Sequence, residues 1–450
     1  MRRIVLLLIV ASSVVAMAAT RPHYGRTLRV ALRMAPMSLD PATANPYDGV
    51  AARNLSQLIF DRLVILDDRG FPRPALATSW QAEPGSQRWR FQLRKGVVCH
   101  DGTALTSDIV AASIRATNSN WKVFPSEDAV VIETESPSTT LPIELSLARY
   151  GIAKRAGTKL VGTGPYSISQ WDPGKKLTLA ARDDYWDGRA FVDAIEIDLG
   201  RNLRDQMISL DVGKADLIEI APEQSHHAAE NRRVESSGPA ELVALVFARD
   251  PQSADEARLR QALGLSIDRG SLSKVLFQGG ADPAAGVLPN WMTGYAFLFP
   301  AIADASLARQ TRGESRQSVP WSLSYDATDP MARVVAERIA LNARDVGLTV
   351  QAATVGASDV RLVRAPLLSL DDRTALTTLA SMTGLPSPKF AGDSMEDLYA
   401  AEAAMLNSRR IIPLLHTRTA YGIGRPVRNW SADRDGVWRL EDVWLAADKP

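Results

Sequence analysis

The sequence predicts an α/β protein of two or three compact units, and three observations carry that reading. A chain of 450 residues, 46% hydrophobic and 23% charged, is longer than one hydrophobic core organises, yet its composition is that of an ordinary globular protein. The stretch Trp321 to Val355 reads as strand, helix, strand, a unit that pairs its two strands in parallel through a right-handed crossover. Elsewhere, period-two segments such as "RWRFQL" alternate with helical patterns, and no repeat of about 20 to 50 residues appears, which excludes solenoids and propellers.

Arg2 and Arg3 precede the apolar run Ile4 to Val15, and Ala16 to Ala18 place small residues where a signal peptidase cuts, so residues 1–18 read as a cleaved export signal. The run is shorter than the roughly 20 apolar residues that a membrane span needs. No cysteine follows it, so lipid attachment is not expected. Cleavage would remove two arginines and move the formal charge from +1 to −1.

"TLRVALRMAP" from Thr27 reads as a strand leading into a loop punctuated by Pro36, Pro41 and Pro46. Leu55, Leu58, Ile59 and Leu63 then recur at helical spacing until Gly70 and Pro72. Trp89, Phe91 and Leu93 alternate as on a half-buried strand; Asp101-Gly102 forms a turn, and Thr106 caps a helix with Ile109, Val110 and Ile114 on its apolar face. The intervening Cys99-His100-Asp101 holds the chain's single cysteine, but neighbours on a strand point to opposite faces, so these residues read as scaffold. "GTGPY" at Gly162 to Tyr166 runs into a strand where a phosphate loop would open a helix, and so marks a passage between units.

In the second half, a helix is expected over roughly Glu256 to Gln278, with Leu259, Ala262, Leu263 and Ile267 on one face. A further helix begins at Asp329 as N-cap and Pro330, ends before Gly347, and is expected to bury Val334, Val335, Ile339 and Leu341.

Charge balance and the lack of a Lys/Arg block interleaved with aromatics exclude a nucleic-acid binder. No G-x-S-x-G, H-E-x-x-H or G-x-x-x-x-G-K-[ST] motif occurs, and the adjacent His226 and His227 diverge, so neither catalysis nor a metal or cofactor is expected. Asn290, Trp291, Tyr295 and Phe297 lie in the Pro/Gly-bounded "LPNWMTGYAFLFP", a loop suited to stacking on a small ligand.

Several segments in order, "TLRVALRMAPMSLDPA", "LIFDRLVILDDRGFPRPALATSW", "WRFQLRKGVVCHDGTALTSDIVAASI", "VGTGPYSISQWDPGKKLTLAARDDYWDGRAFVDAIEI", "ARLRQALGLSIDR" and "GADPAAGVLPN", resemble the peptide- and nickel-type extracellular solute-binding proteins of ABC importers. The resemblance runs from about Thr27 to Pro300 and resumes weakly later. It implies a bilobed, periplasmic-binding-protein-like fold: two α/β lobes joined by crossing strands, with a small accessory domain in lobe one and a shortened lobe two. By analogy, residues 27–46, 161–247 and 415–450 form lobe one, 47–160 the accessory domain and 248–414 lobe two, with the crossings at Leu242 to Phe247 and Ile412 to His416.

The resemblance further implies a monomeric, periplasmic protein without enzymatic activity that captures a peptide or similar small solute and delivers it to permease and ATPase subunits. Family members carry a longer stretch between Leu348 and Glu396, including a charged clamp for a peptide's amino terminus. Here Arg364, Asp371 and Asp372 fall in that neighbourhood. With Asn290, Trp291, Tyr295 and His416 they form the expected ligand-binding set. The alternatives are a ligand sensor or structural module with a degenerate cleft, or an exported hydrolase resting on His416 and Asp372.

Overall fold

A computed structural model describes residues 21–446 except 44, 46–48, 158, 314–319 and 355–357; the expected export signal at 1–18 lies outside the described residues. Its frame is one 11-stranded sheet. The strands in chain order are β1 (Thr27–Ala31), β2 (Tyr166–Asp172), β3 (Lys176–Ala181), β4 (Ala194–Asp198), β5 (Leu217–Ile220), β6 (Arg233–Phe247), β7 (Ala281–Pro283), β8 (Trp321–Ser324), β9 (Val350–Ala353), β10 (Val360–Pro366) and β11 (Ile411–Ile423). They lie in the order β2-β3-β4-β1-β5-β11-β6-β10-β8-β9, with β7 added on β11.

Two parallel sets stand at the two ends of the long pair β6–β11. In lobe one, β1 runs parallel to β4 and β5 (Leu28↔Ile195, Val30↔Leu217). In lobe two, β8 runs parallel to β9 and β10 (Trp321↔Val350, Leu323↔Val360), as the strand–helix–strand pattern predicts. The helix between β8 and β9, Pro330–Asp345, is capped by the Asp329 carboxylate on Met331 N. It buries Ala332, Val335, Ala336, Ile339 and Ala343, whereas Val334 and Leu341, expected in its core face, are exposed. At about 100° per residue, positions 334 and 341 stand to the side of the 332–335–336–339–343 stripe, and the small alanines complete the packing face.

The expected helix over Glu256 to Gln278 is interrupted. Ser253 caps Ala254–Ser266, Ile267 turns extended, and Asp268 caps a separate turn at Arg269–Ser271 that continues into a wider helical turn at Leu272–Leu276. A second capping carboxylate inside an apolar run is the local cause of the break.

The accessory unit has its own core, from Leu63 to Ile152, under a four-stranded antiparallel sheet in which Trp89, Phe91 and Leu93 point inward as their alternation predicts. Thr106 caps its helix Ser107–Thr117 through Ile109 N. The helix Gly49–Ile59, placed in the accessory domain on sequence grounds, instead gives Ala51, Leu55, Leu58 and Ile59 to the lobe-one core with Leu28, Tyr166 and Trp438.

His100 shows what the "CHDG" segment does. Its Nε2–H donates to Gly164 O (3.1 Å) and its Nδ1 accepts from Gly162 N (3.3 Å), tying the accessory unit to "GTGPY". Cys99 beside it is buried, and burial pushes its thiol up. The backbone passes so close to the end of the Gly49–Ile59 helix that a Cβ on Gly162 would stand 1.9 Å from Ile59 O. Asp61 completes the joint, accepting from Thr163 Oγ1 (2.8 Å), Tyr185 OH (2.9 Å) and Trp186 Nε1 (2.9 Å).

β6 and β11 are the strands that join the lobes. β5 pairs with β11 from Ile220↔Ala420 to Leu217↔Ile423, and β10 pairs with β6 from Glu241↔Pro366 to Phe247↔Val360. The passage between lobes therefore falls at Ser237–Ala240 and Arg418–Thr419. The segments Leu242–Phe247 and Ile412–His416, where the resemblance puts it, already belong to lobe two. Here the β6–β11 register shifts, around Ser236, Pro239 and Glu241, because a proline cannot donate to the ladder.

Candidate functional site

A cavity of about 740 Å³ opens between the lobes at this passage. Lobe one contributes Arg33 and Met34 just after β1, Val50 and Ala51 on the first helix, and Glu219 and Ile220 on β5. Lobe two contributes Phe277, Asp326, Thr328 and Asp329 after β8, and Arg361 to Arg364 on β10; the passage supplies Glu241 and Thr417 to Thr419. The cavity thus faces the carboxyl ends of both parallel sets, where α/β sheets take their ligands. Its size is that of a small-molecule site.

Charge in the cavity is balanced: Arg33, Arg361, Arg364 and Arg418 against Glu219, Glu241, Asp326 and Asp329. Much of it is already paired. Arg364 donates to Glu241 Oε2 (2.5 and 3.0 Å) and to Asp329 Oδ2 (3.0 Å), and Thr417 Oγ1 adds a bond to the same Glu241 oxygen (2.7 Å). Burial disfavours the Arg364 cation, but Glu241 and Asp329 outweigh it and push its pKa up. Arg418 pairs with Asp282 at 2.8 Å. Asp326 Oδ1 accepts from Thr328 N and Oγ1 (2.8 and 2.7 Å). Glu219 lies on the lobe-one wall; burial raises its pKa against the pull of Arg33.

Of the seven residues expected to bind ligand, Arg364 alone lines this cavity, and it is held by two carboxylates. The other six stand elsewhere. Asn290 begins the short helix Asn290–Thr293, exposed to solvent. Trp291 donates Nε1–H to Pro239 O (2.7 Å) and props the passage from outside. Tyr295 is buried, donating to Glu402 Oε2 (2.8 Å), while Glu402 Oε1 also accepts from Val287 N and Leu288 N (2.5 and 3.0 Å). The aromatic loop is therefore largely a core strut, with Phe297 at its tip 76% exposed.

Asp371 caps the helix Asp372–Thr383 through Thr374 N, and Asp372 sits in its first turn, its pKa raised by burial and by Asp371. His416 is buried with Nε2–H on Val287 O (3.0 Å), and burial lowers its pKa to about 4. These are capping and packing roles. Among the described residues no group of three His, Cys, Asp or Glu side chains is arranged to hold a metal.

Sequence reasoning missed Arg33, Glu219, Glu241, Arg361 and Arg418, and saw Asp329 only as a cap. A signal for two of them exists: Glu219 breaks the apolar run of "LIEIAP" and Glu241 opens the apolar run of "ELVALVF". A carboxylate set into a buried strand needs a partner, and a cleft is a common place for one.

The sequence profile described as bacterial extracellular solute-binding proteins, family 5 (Middle), matches residues 72–366. The chain belongs to this family. Among curated proteins it is 25% identical over 333 residues to a probable di/tripeptide-binding protein 5 of Pseudomonas aeruginosa (strain UCBPP-PA14), covering 62% of each chain. To the glutathione-binding protein GsiB of Escherichia coli O1:K1 / APEC it is 26% identical over 280 residues, 55% of this chain and 54% of that one. The chain thus spans about half to two thirds of these relatives' length. Among solved structures, the murein tripeptide binding protein MppA of Escherichia coli superposes with a TM-score of 0.78 at 16% identity, covering 95% of this chain and 100% of that one. The fold is the two-lobed architecture of these binding proteins.

Proposed function

We propose that this protein is the exported solute-binding component of an ABC importer, which holds a peptide or similar small zwitterionic solute between its lobes and passes it to a membrane permease. The observation that carries the reading is the interlobe cavity of about 740 Å³, walled by both parallel sets and by the joining strands, with equal numbers of arginines and carboxylates. A ligand touching both lobes binds the closed arrangement more tightly than the open one and so shifts the population towards it. Family membership and relatives named for di/tripeptide and glutathione binding support the solute class. No bond-making step is assigned to the cavity. Delivery to permease and ATPase subunits, a monomeric state, and location in the periplasm belong to the same proposal.

Native mass spectrometry of protein purified gently from the envelope fraction tests it. A retained mass in the peptide range is the expected result. An apo mass that persists through incubation with peptide mixtures, without thermal stabilisation, overturns the reading.

A further inference from the structure

We infer that the accessory unit is the closing partner of lobe two: the segment Leu368 to Leu370 docks on its Gly70 turn and core, so that a unit remote from the ligand sets ligand affinity. The inference rests on the solute-binding reading and adds a place on the molecule where closure is won or lost.

Two contacts make the joint. Leu368, two residues beyond β10, is partly buried and packs against two cores at once, that of lobe two around Leu367 and Leu379 and that of the accessory unit around Leu63 and Leu145. Beside it, backbone meets backbone. A Cβ on Gly70 would stand 2.8 Å from Leu370 O and 3.4 Å from Asp371 Cα. Gly70 lies in the turn between the short strands Val64–Leu66 and Pro72–Pro74, and it is buried although Arg69 and Phe71 on either side are exposed. The turn holds its own shape, because Gly70 N donates to Asp67 O (2.8 Å) and Asp67 Oδ1 accepts from Arg69 N and Phe71 N (3.0 Å each).

The joint is built to separate. The chain enters and leaves lobe two only through Ser237–Ala240 and Arg418–Thr419, so the accessory unit and lobe two have no covalent link of their own and a rotation at the passage parts them. Among the described residues no hydrogen bond or ion pair joins Leu368 to Leu370 with the accessory unit, which leaves an apolar contact that forms and breaks without stranding a charge.

The same elements serve the ligand cavity. Helix Gly49–Ile59 lines that cavity with Val50 and Ala51 and lines a smaller one at the joint, about 70 Å³, with Arg53, Ser56 and Gln57. Strand β10 lines the first with Arg361 to Pro366 apart from Ala365, and the chain directly after it lines the second with Leu368 to Leu370. Bringing β10 over the ligand therefore brings Leu368 onto the accessory unit. A contact made only when the lobes are together adds its free energy to the closed state, and removing it weakens ligand binding by the corresponding factor.

The experiment sets Gly70→Asn against Gly102→Asn. Both glycines belong to the accessory unit and both have φ +80°, a conformation that asparagine tolerates, but a Cβ on Gly102 meets nothing within 4 Å. Only the first variant drives a wedge against lobe two. Wild type, the two variants, Leu368→Ser and Leu368→Met are compared by solution scattering and by calorimetric titration with the tightest-binding member of a synthetic tripeptide pool. Gly70→Asn and Leu368→Ser should bind about 3- to 10-fold more weakly, the loss expected for part of a leucine's burial, and should show a larger radius of gyration. Gly102→Asn and Leu368→Met should stay near wild type. Should Leu368→Ser disturb lobe two itself, Gly70→Asn, which lies outside that lobe, still decides. If Gly70→Asn matches Gly102→Asn in both radius of gyration and affinity, the inference is overturned and the solute-binding reading stands. Failure of wild type to bind any tripeptide in the pool counts against the peptide reading, while an expansion confined to Gly70→Asn and Leu368→Ser still supports the joint.

Discussion

His100 and His416 are held neutral by their surroundings, and that has a pH signature. Each gives its Nε2–H to a carbonyl, and burial lowers each pKa from 6.5 to about 4. The unfolded chain binds these protons first as pH falls, so the stability from the two neutral rings is complete above about 6.5 and is lost between about 6.5 and 4. A drop of this size corresponds to roughly 3 kcal/mol per histidine at full titration. Urea unfolding from pH 7 to 4 should show the loss, and His416→Gln should flatten it; an unchanged slope would refute the assignment. Scaffold use of His100 and Cys99 is legible in the sequence, because adjacent strand residues cannot share a face. The role of His416 is not, since nothing in "PLLHTR" shows which carbonyl a buried imidazole will find.

Among elements, the passage at Gly162 is the most constrained by sterics. Gly162→Ala would place a methyl 1.9 Å from Ile59 O, where backbone cannot yield cheaply. A loss of at least about 1–3 kcal/mol is expected, measured as a lowered urea midpoint. Arg364→Ala should also destabilise, by about 1–3 kcal/mol, because it strands the half-buried Glu241 and Asp329. Arg364→Lys should recover only part of this, since a single ammonium cannot span both carboxylates as the guanidinium fork does.

Elements with strong periodicity and caps, such as Pro330–Asp345 and the Trp89–Phe91–Leu93 strand, are readable from the amino-acid sequence alone. The break at Ile267 and the lobe-one packing of Gly49–Ile59 are not, because hydrophobicity gives a segment an apolar face without naming the core that receives it. The same gap explains the candidate site. Loop aromatics at Trp291 and Tyr295 look available in sequence, yet Pro239 and Glu402 claim them. The cavity charges come from strands and turns far apart in the chain, from Arg33 to Arg418, and only the sheet order brings them together.

For the whole molecule, ligand binding across the cavity predicts compaction and stabilisation together. At ligand 100 times above Kd the gain is about 2.7 kcal/mol, visible as a higher melting temperature with a smaller radius of gyration in solution scattering. Gly280 offers a control on the geometry between lobes. A Cβ there would stand 2.0 Å from Pro222 O of lobe one, so Gly280→Ala should push the lobes apart, enlarging the unliganded molecule and weakening binding without touching a charged group of the cavity.

The pairing of Ser236 with Ala420 has a consequence of its own. Lobe two leaves and returns through neighbouring strands, so it is an insertion whose two attachment points lie one ladder rung apart. A gene in which a two-residue turn replaces the 183 residues from 237 to 419 would encode a circuit already closed, with Arg33 and Glu219 both retained. Such a half-receptor should fold alone and carry one wall of the cleft, a tethered hemisphere against which the contribution of the absent half can be weighed.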